Sequence, residues 1–209
     1  MTTLAVPLPR NRKPRGQGPA RRDEILAAAT RIFLEEGVAH ATMRRIAAAV
    51  GVSPAALYVY FPDKDSILRA IAEAWFAELL EALAQSQQSG KTLAEKFEAG
   101  IRTYVEFGLS HPDGYRLTFL SPGAKQMAPA ACEGIAAADH SFAILQQGVE
   151  GMMQAGLFRP GPSVPAAEAI WACMHGVTSL LIDQCDHLVT PQPHLVDTAI
   201  EMIMRGMKP

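Results

Sequence analysis

Residues 42–64 read TMRRIAAAVGVSPAALYVYFPDK, two short helical patterns joined by a tight turn, with a further helix start directly behind them. Thr42 is placed to cap a first helix whose apolar or small positions, Met43, Ile46, Ala47 and Val50, recur at three- and four-residue steps. Gly51 supplies the stop, because glycine enters the left-handed conformation without a Cβ clash. Val52 anchors the turn. Ser53 before Pro54 is an N-cap with proline at the first helical position, which predicts a second helix over residues 54–61. Leu57 and Phe61, four apart, form its inner side. Ala55 and Ala56 are small enough to let a backbone approach a groove floor, and Tyr58 and Tyr60 offer hydroxyls to phosphate oxygens. The turn, the cap and the small exposed residues together have the grammar of a helix-turn-helix DNA reader. A helical hairpin within a larger bundle is the blander reading of the same letters.

Working outward, residues 21–36 carry an apolar stripe of Ile25, Ala28, Ala29, Ile32 and Phe33, ended by Gly37, which predicts a supporting helix behind the reader. Arg44 and Arg45 open the first reader helix, where one of them can reach a backbone or a guanine edge. On the far side, Asp63 is placed to cap a long helix to about residue 88, with Ile67, Leu68, Ile71, Trp75, Leu79 and Leu83 inside. Lys64 in its first turn opposes the helix macrodipole, so it fits best with a phosphate at that helix end. A solvated surface lysine is the alternative.

The Thr42 cap, Ile46-Ala47, Gly51-Val52-Ser53, Leu57-Tyr58-x-Tyr60-Phe61, Lys64 and Ile67-Leu68 make residues 21–68 closely resemble the N-terminal domain of the tetracycline-repressor (TetR) family of bacterial transcription regulators. Val50 departs from the alanine usual before the turn glycine. That position is expected to be buried, so repacking is expected there with no change of function. The resemblance implies that the lysine matching Lys64 contacts the DNA backbone. It also implies that a small molecule in a carboxy-terminal domain shifts a dimer between two states through the long helix.

The chain's 209 residues, 49% apolar and 19% charged, suit a globular protein with a sizeable core. No run approaches the roughly 20 apolar residues of a membrane span, and the first ten residues lack a secretory signal. Cys132, Cys173 and Cys185 are odd in number and lack Cys-x-x-Cys spacing, which points to a reducing cytoplasm. The net charge of −2 hides an asymmetry: residues 1–64 hold ten Lys/Arg against five Asp/Glu, +5, and the remainder nine against sixteen, −7. A basic amino-terminal part on an acidic body offers one end to phosphates. Residues 1–20, with four prolines and Arg10, Arg12, Lys13 and Arg15, read as a disordered basic arm. It serves either as a solubilising tail or as a further phosphate or minor-groove contact.

Beyond residue 88, Thr92-x-x-Glu95 is a capping box for a helix to about Ser110. His111-Pro112-Asp113-Gly114 reads as a turn and residues 115–120 as a short helix. Residues 129–155 read as helical but irregular, or closely packed on another backbone, because of Gly134, Gly148 and Gly151. A helix over residues 165–188 carries two apolar stripes, Ile170, Cys173/Met174, Val177, Leu180/Leu181 and Trp171, His175, Thr178, Ile182, Cys185. The last, over residues 194–207, carries Leu195, Ala199, Met202, Gly206 and Val196, Ile200, Ile203, Met207. A helix apolar on both sides needs cover on both sides. A second copy of the chain is the economical cover, through Ile170, Val177, Leu181, Leu195, Ala199, Met202 and Gly206; a monomer wrapped by its own irregular segment is the alternative. His111-Pro112-Asp113-x-Tyr115-Arg116-Leu117 and Trp171-x-x-x-His175-Gly176 resemble one TetR subgroup, without identifying a ligand.

There is no glycine-rich nucleotide fingerprint, Gly-x-Ser-x-Gly elbow or His-Glu-x-x-His helix, so no enzyme is indicated. Cys173-x-His175 and Cys185-x-His187 are the nearest to a metal set. Residues two apart on a helix point about 200° apart, so no metal and no cofactor is expected. Phe97, Ile101, Tyr104, Phe107, Phe119, Phe142, Met152, Trp171, Met174 and His175 are candidates for an adaptable, largely apolar effector pocket; ordinary core is the alternative for each.

The expected architecture is all-α with about nine helices: an arm (1–20), a three-helix DNA-binding domain (21–66), and a larger helical ligand-binding and dimerisation domain (67–209). The expected function is a homodimeric transcription regulator, a repressor released from a palindromic double-stranded operator by a small molecule. Thr42, Arg44, Arg45, Ser53, Pro54, Ala55, Tyr58, Tyr60 and Lys64 are the candidate DNA-contacting residues. A helical protein-interaction module, or a regulator without a small-molecule ligand, is the competing reading.

Overall fold

A computed structural model of the chain describes residues 18–88, 90–120, 135–183 and 188–209. Among these residues there are nine α-helices and no strand. Helix α1 (Gly18–Glu36) stops at Gly37, whose φ of 80° lies in the left-handed region. The Thr42 hydroxyl then accepts the Arg45 N–H at 3.1 Å and opens α2 (Met43–Ala49). Gly51, at φ 69°, turns the chain. The Ser53 hydroxyl accepts the Ala56 N–H at 3.2 Å, and Pro54 begins α3 (Pro54–Tyr60). Each cap satisfies an N–H that the first helical turn leaves without an internal partner.

The long helix α4 (Lys64–Ser86) begins with a reciprocal box, in which the Asp63 carboxylate accepts the Ser66 N–H at 2.7 Å and Ser66 Oγ accepts the Asp63 N–H at 3.3 Å. Helix α5 (Leu93–Ser110) repeats the device with Thr92 and Glu95. The Thr92 N–H, and then the Lys91 N–H, hold the Glu95 carboxyl below the usual carboxylate range. Helix α6 (Pro112–Tyr115) runs straight into a π-helical turn, Arg116–Leu120. Helices α7 (Ala136–Gln154), α8 (Ser163–Ile182) and α9 (Gln192–Gly206) complete the order.

Two apolar clusters organise these helices, and α4 takes part in both. Ile25, Ile32, Phe33, Ile46, Leu57, Phe61, Ile67, Leu68 and Ile71 close the first, around α1 to α3. From Ala72 and Trp75 onward α4 joins the second, formed with α5 to α9. Helix α6 and its π turn bridge them. Tyr115 is buried in the second cluster, and Leu117, two residues on, is buried in the first.

Three expectations need correction. His111 to Gly114 are not a separate turn: Pro112 starts a helical turn that Tyr115 continues, since proline fixes the φ that a first helical residue requires. The described part of the 129–155 segment is one regular helix despite Gly148 and Gly151. Gly148 is where the Phe97 ring presses in, with its nearest carbon 3.0 Å from where a Cβ would stand, so a side chain and not a backbone makes the close approach. Gly134 lies outside the described residues. Helix α8 starts at Ser163, two residues ahead of the expected Pro165, and has ended by Asp183. Residues 184–187, on which Cys185 and His187 fall, are outside the described residues, as are Cys132, Ser89 and residues 1–17 of the expected arm, whose last three residues, 18–20, already belong to α1.

Candidate nucleic-acid interface

Helix α3 is two-faced for a local reason. Leu57 and Phe61 are 0% and 2% exposed and seat it on α1, α2 and α4. Burial of that kind stabilises by roughly 1.5–3 kcal/mol per side chain. Arg22 lies across the Phe61 ring, its Cζ 5.0 Å from the centroid, and closes that edge of the seat. On the other side Ser53, Pro54, Ala55, Tyr58, Val59 and Tyr60 are all exposed. The front carries no charge.

The candidate DNA-contacting residues separate by what already engages them. Thr42 and Ser53 each accept one helix-cap N–H, and those bonds do not use their hydroxyl protons. Arg45 is tied to Glu36 at 3.0 Å. Within α2 and α3, Arg44 is the exposed cation with no ion pair among the described residues. Lys64 is turned inward: its ammonium donates to the Val38 carbonyl at 2.7 Å and the Ala39 carbonyl at 3.3 Å. It staples the α1–α2 loop to the start of α4, so a phosphate contact requires it to leave those carbonyls. Spacing along the chain gave no sign of the Lys64 and Arg45 partners, nor of the 83% exposure of Val59 on the reader helix.

The expected pocket residues share one part of the fold. Phe97, Ile101, Tyr104, Phe107, Met152 and Met174 are buried in the second cluster, and Phe119 and Phe142 pack against it. Trp171 and His175 stand one helical turn apart on α8. A polar chain joins them: Trp171 Nε1 donates to Tyr104 Oη at 3.3 Å, and His175 Nδ1 lies 3.5 Å from Tyr104 Oη and 2.7 Å from Tyr115 Oη. Burial holds the His175 imidazolium below its ordinary range and pushes the Tyr115 phenol up. Two buried groups nearby, Trp75 Nε1 and Thr118 Oγ1, have no hydrogen-bond partner among the described residues. No sequence spacing announced the Tyr115 to His175 bond.

The outward face of α8 and α9 differs from the expected stripes at two positions, Ile170 and Met174, both buried. Ile170 is buried in its own chain, 3% exposed, in line with Ala167, Met174, Thr178 and Ile182. Leu180 stands outside in its place, 45% exposed. A helix apolar all round leaves its rotation to the packing of its neighbours, and four-residue steps carry the inner line through 170, 174, 178 and 182. Val177, Leu181, Leu195 and Ala199 are half-buried, Gly206 is exposed, and Met202 is 67% exposed. Among the described residues no helix is long and apolar enough to cross a membrane, and no group of three His, Cys, Asp or Glu could hold a metal ion.

Residues 25–71 match the family model described as bacterial regulatory proteins, tetR family, and residues 97–207 match the tetracyclin repressor-like C-terminal domain. The HTH-type transcriptional activator FasR of Mycolicibacterium smegmatis is 29% identical over 109 residues, which cover 52% of this chain and 48% of FasR. The chain spans about half the length of the curated relatives it matches, or less. Among solved structures, a protein of unknown function from Rhodococcus sp. RHA1 superposes with a TM-score of 0.75 at 28% identity, covering 95% of this chain and all of that one. AibR, solved in complex with isovaleryl coenzyme A and operator DNA, superposes with a TM-score of 0.69 at 19% identity, over 87% of this chain and 97% of that one.

Proposed function

The chain belongs to the tetR family of bacterial regulatory proteins, a DNA-binding transcription regulator, and from that premise we propose that it is a homodimeric repressor released from its operator by a small, largely apolar molecule. The observation that carries the reading is the construction of α3: its back is locked by Leu57 and Phe61, and its front offers exposed side chains to a groove. Thr42, Ser53, Tyr58 and Tyr60 position the reader on phosphates, Pro54 and Ala55 bring its backbone close to the bases, and Arg44 supplies a cation. Lys64 joins them when DNA competes it away from the Val38 and Ala39 carbonyls.

A second copy is the proposed cover for the outward face of α8 and α9. Val177, Leu180, Leu181, Leu195, Ala199 and Met202 would otherwise leave apolar surface in water, and Gly206 allows close approach. Two readers then meet successive major grooves about 34–36 Å apart, on a palindromic operator.

The effector site proposed is the aromatic interior between α4, α5, α6 and α8, where Tyr104, His175 and Trp171 supply the few polar atoms. AibR, of the same fold, was solved with both an acyl coenzyme A and operator DNA, which supports a fold that serves both ligands. Release follows if the effector binds more tightly to a form whose readers are misplaced; equal affinity for both forms would shift nothing. Tyr115 and Leu117 give such a shift a path, since they sit two residues apart in different clusters.

The test is selection of bound genomic fragments by the purified chain, footprinting of the selected site, and a screen of small apolar acids and acyl esters for release. A protected palindrome and a releasing compound are expected. Protection without dyad symmetry would refute the dimer, and an operator complex indifferent to every compound would refute the effector.

A further inference from the structure

We propose that α3 reads thymine through its 5-methyl group, with Val59 as the specificity-determining side chain. The inference deepens the operator-binding reading above and rests on it. Ala55 and Val59 are four residues apart and lie on one side of a helix whose other side carries the buried Leu57, with the buried C-cap residue Phe61 just past its end. That line faces away from the buried Leu57. It presents methyl groups and no side-chain donor or acceptor.

The rest of α3 points the same way. The helix contains no Arg, Lys, Asn, Gln, Asp or Glu, so it has none of the side chains that make bidentate hydrogen bonds to guanine, adenine or cytosine edges. The tyrosines flanking Val59 carry the only side-chain hydroxyls of the helix, and Tyr58 is 53% exposed and Tyr60 36%. Phosphates on either wall of a groove suit them better than base edges do, because the reader is only seven residues long. An 83% exposed valine is also an odd choice for a helix. Its β-branch lowers helix propensity, and its two methyls meet only water in the free protein. The feature in the major groove that rewards an apolar contact is the thymine 5-methyl. Arg44 is then left as the one cation of α2 and α3 without an ion pair among the described residues, able to add a guanine or phosphate contact beside that methyl patch.

The experiment uses the full chain and the operator it selects. Each thymine is replaced singly by deoxyuridine, which removes the methyl and keeps the base pair, and affinity is measured for the wild type and for Val59→Ala. Alanine is the better helix former at this exposed site, so the variant keeps α3; Val59→Thr, which retains one methyl and the branch, serves as a second check. At least one thymine per half-site is expected to lose about fourfold in affinity with its methyl. On Val59→Ala the same deoxyuridine is expected to cost less than half as much, and Val59→Thr to fall between. Selected half-sites without a thymine under α3, full indifference to deoxyuridine, or undiminished sensitivity in Val59→Ala would each overturn this inference while leaving operator binding intact. Failure to bind any DNA at low salt would overturn the operator reading and this inference together.

Discussion

Gly108 lies where α5 crosses α8, and its replacement by alanine gives a result whose sign depends on one methyl group. A Cβ at Gly108 would fall 2.6 Å from Thr178 Cγ2, and 3.1 and 3.3 Å from two carbons of the Tyr115 ring. Carbon atoms in favourable contact stand about 3.5–4.0 Å apart, so close to 1 Å must open on the threonine side. Thr178 has no easy way to yield. It is 0% exposed, its β-branch is stiff, and its hydroxyl donates to the Met174 carbonyl at 2.8 Å. Overpacking of this kind costs about 1–3 kcal/mol, and the gain from placing alanine in a helix offsets about 1 kcal/mol of it. Gly108→Ala alone is therefore expected to destabilise by about 1 kcal/mol. Thr178→Ser keeps the hydroxyl bond and deletes the obstructing methyl, at a cost of about 1 kcal/mol for the void. In the double variant the new Cβ fills that void and the helix gain is recovered. The pair should then be favourably coupled by about 2–3 kcal/mol, the overpacking and the void both being relieved. Urea unfolding at one protein concentration, with unchanged m-values, measures all four proteins. Additivity within about 0.5 kcal/mol would refute the reasoning, because the two side chains would then not meet.

Other consequences are more direct. Gly51→Ala meets nothing within 4 Å but must hold φ at +69°, so a loss of about 1–2 kcal/mol is expected in urea unfolding from backbone strain alone, with no change in dimerisation. Met202→Glu places a charge on the outward face of α9 and is expected to yield monomers by light scattering at micromolar concentration; an unchanged dimer would place the interface elsewhere. Stability should also depend on His175. Its folded-state pKa lies below the ordinary 6.5 because burial disfavours the charged ring. Stability is thus full above pH 6.5 and falls as pH drops through that value, where the unfolded chain takes up a proton that the folded chain refuses. Urea midpoints measured between pH 7.5 and 5.5 should fall less for His175→Asn than for the wild type; an equal fall would refute the assignment.

What could be read from the letters alone was whatever a few neighbouring residues decide. The Thr42, Ser53, Asp63 and Thr92 caps, the Gly37 and Gly51 stops and the inner pair Leu57 and Phe61 are local, and each appears in the fold as the spacing implies. What was hidden depends on partners distant in the chain. Lys64 has its oxygen acceptors 25 and 26 residues away, and Arg45 its carboxylate nine residues away, so the sequence offered two cations to DNA where the fold has engaged both. Tyr115 and His175 are 60 residues apart, and only their packing makes a hydrogen bond of them. The rotation of α8 was undetermined for a different reason. With apolar residues all round, periodicity alone could not separate Ile170, which is inside, from Leu180, which is outside.

The measurement closest to the central claim is the affinity of the chain for its selected operator as a function of salt, with the stoichiometry counted. Hydroxyls, helix caps and a few cations on an uncharged reader imply binding dominated by phosphates. Six or so phosphates neutralised by Arg44, Arg45 and Lys64 of two protomers predict two protomers per site and a loss of about a thousandfold in affinity between ~50 and ~200 mM salt. A flat salt profile, or one protomer per site, would contradict the account.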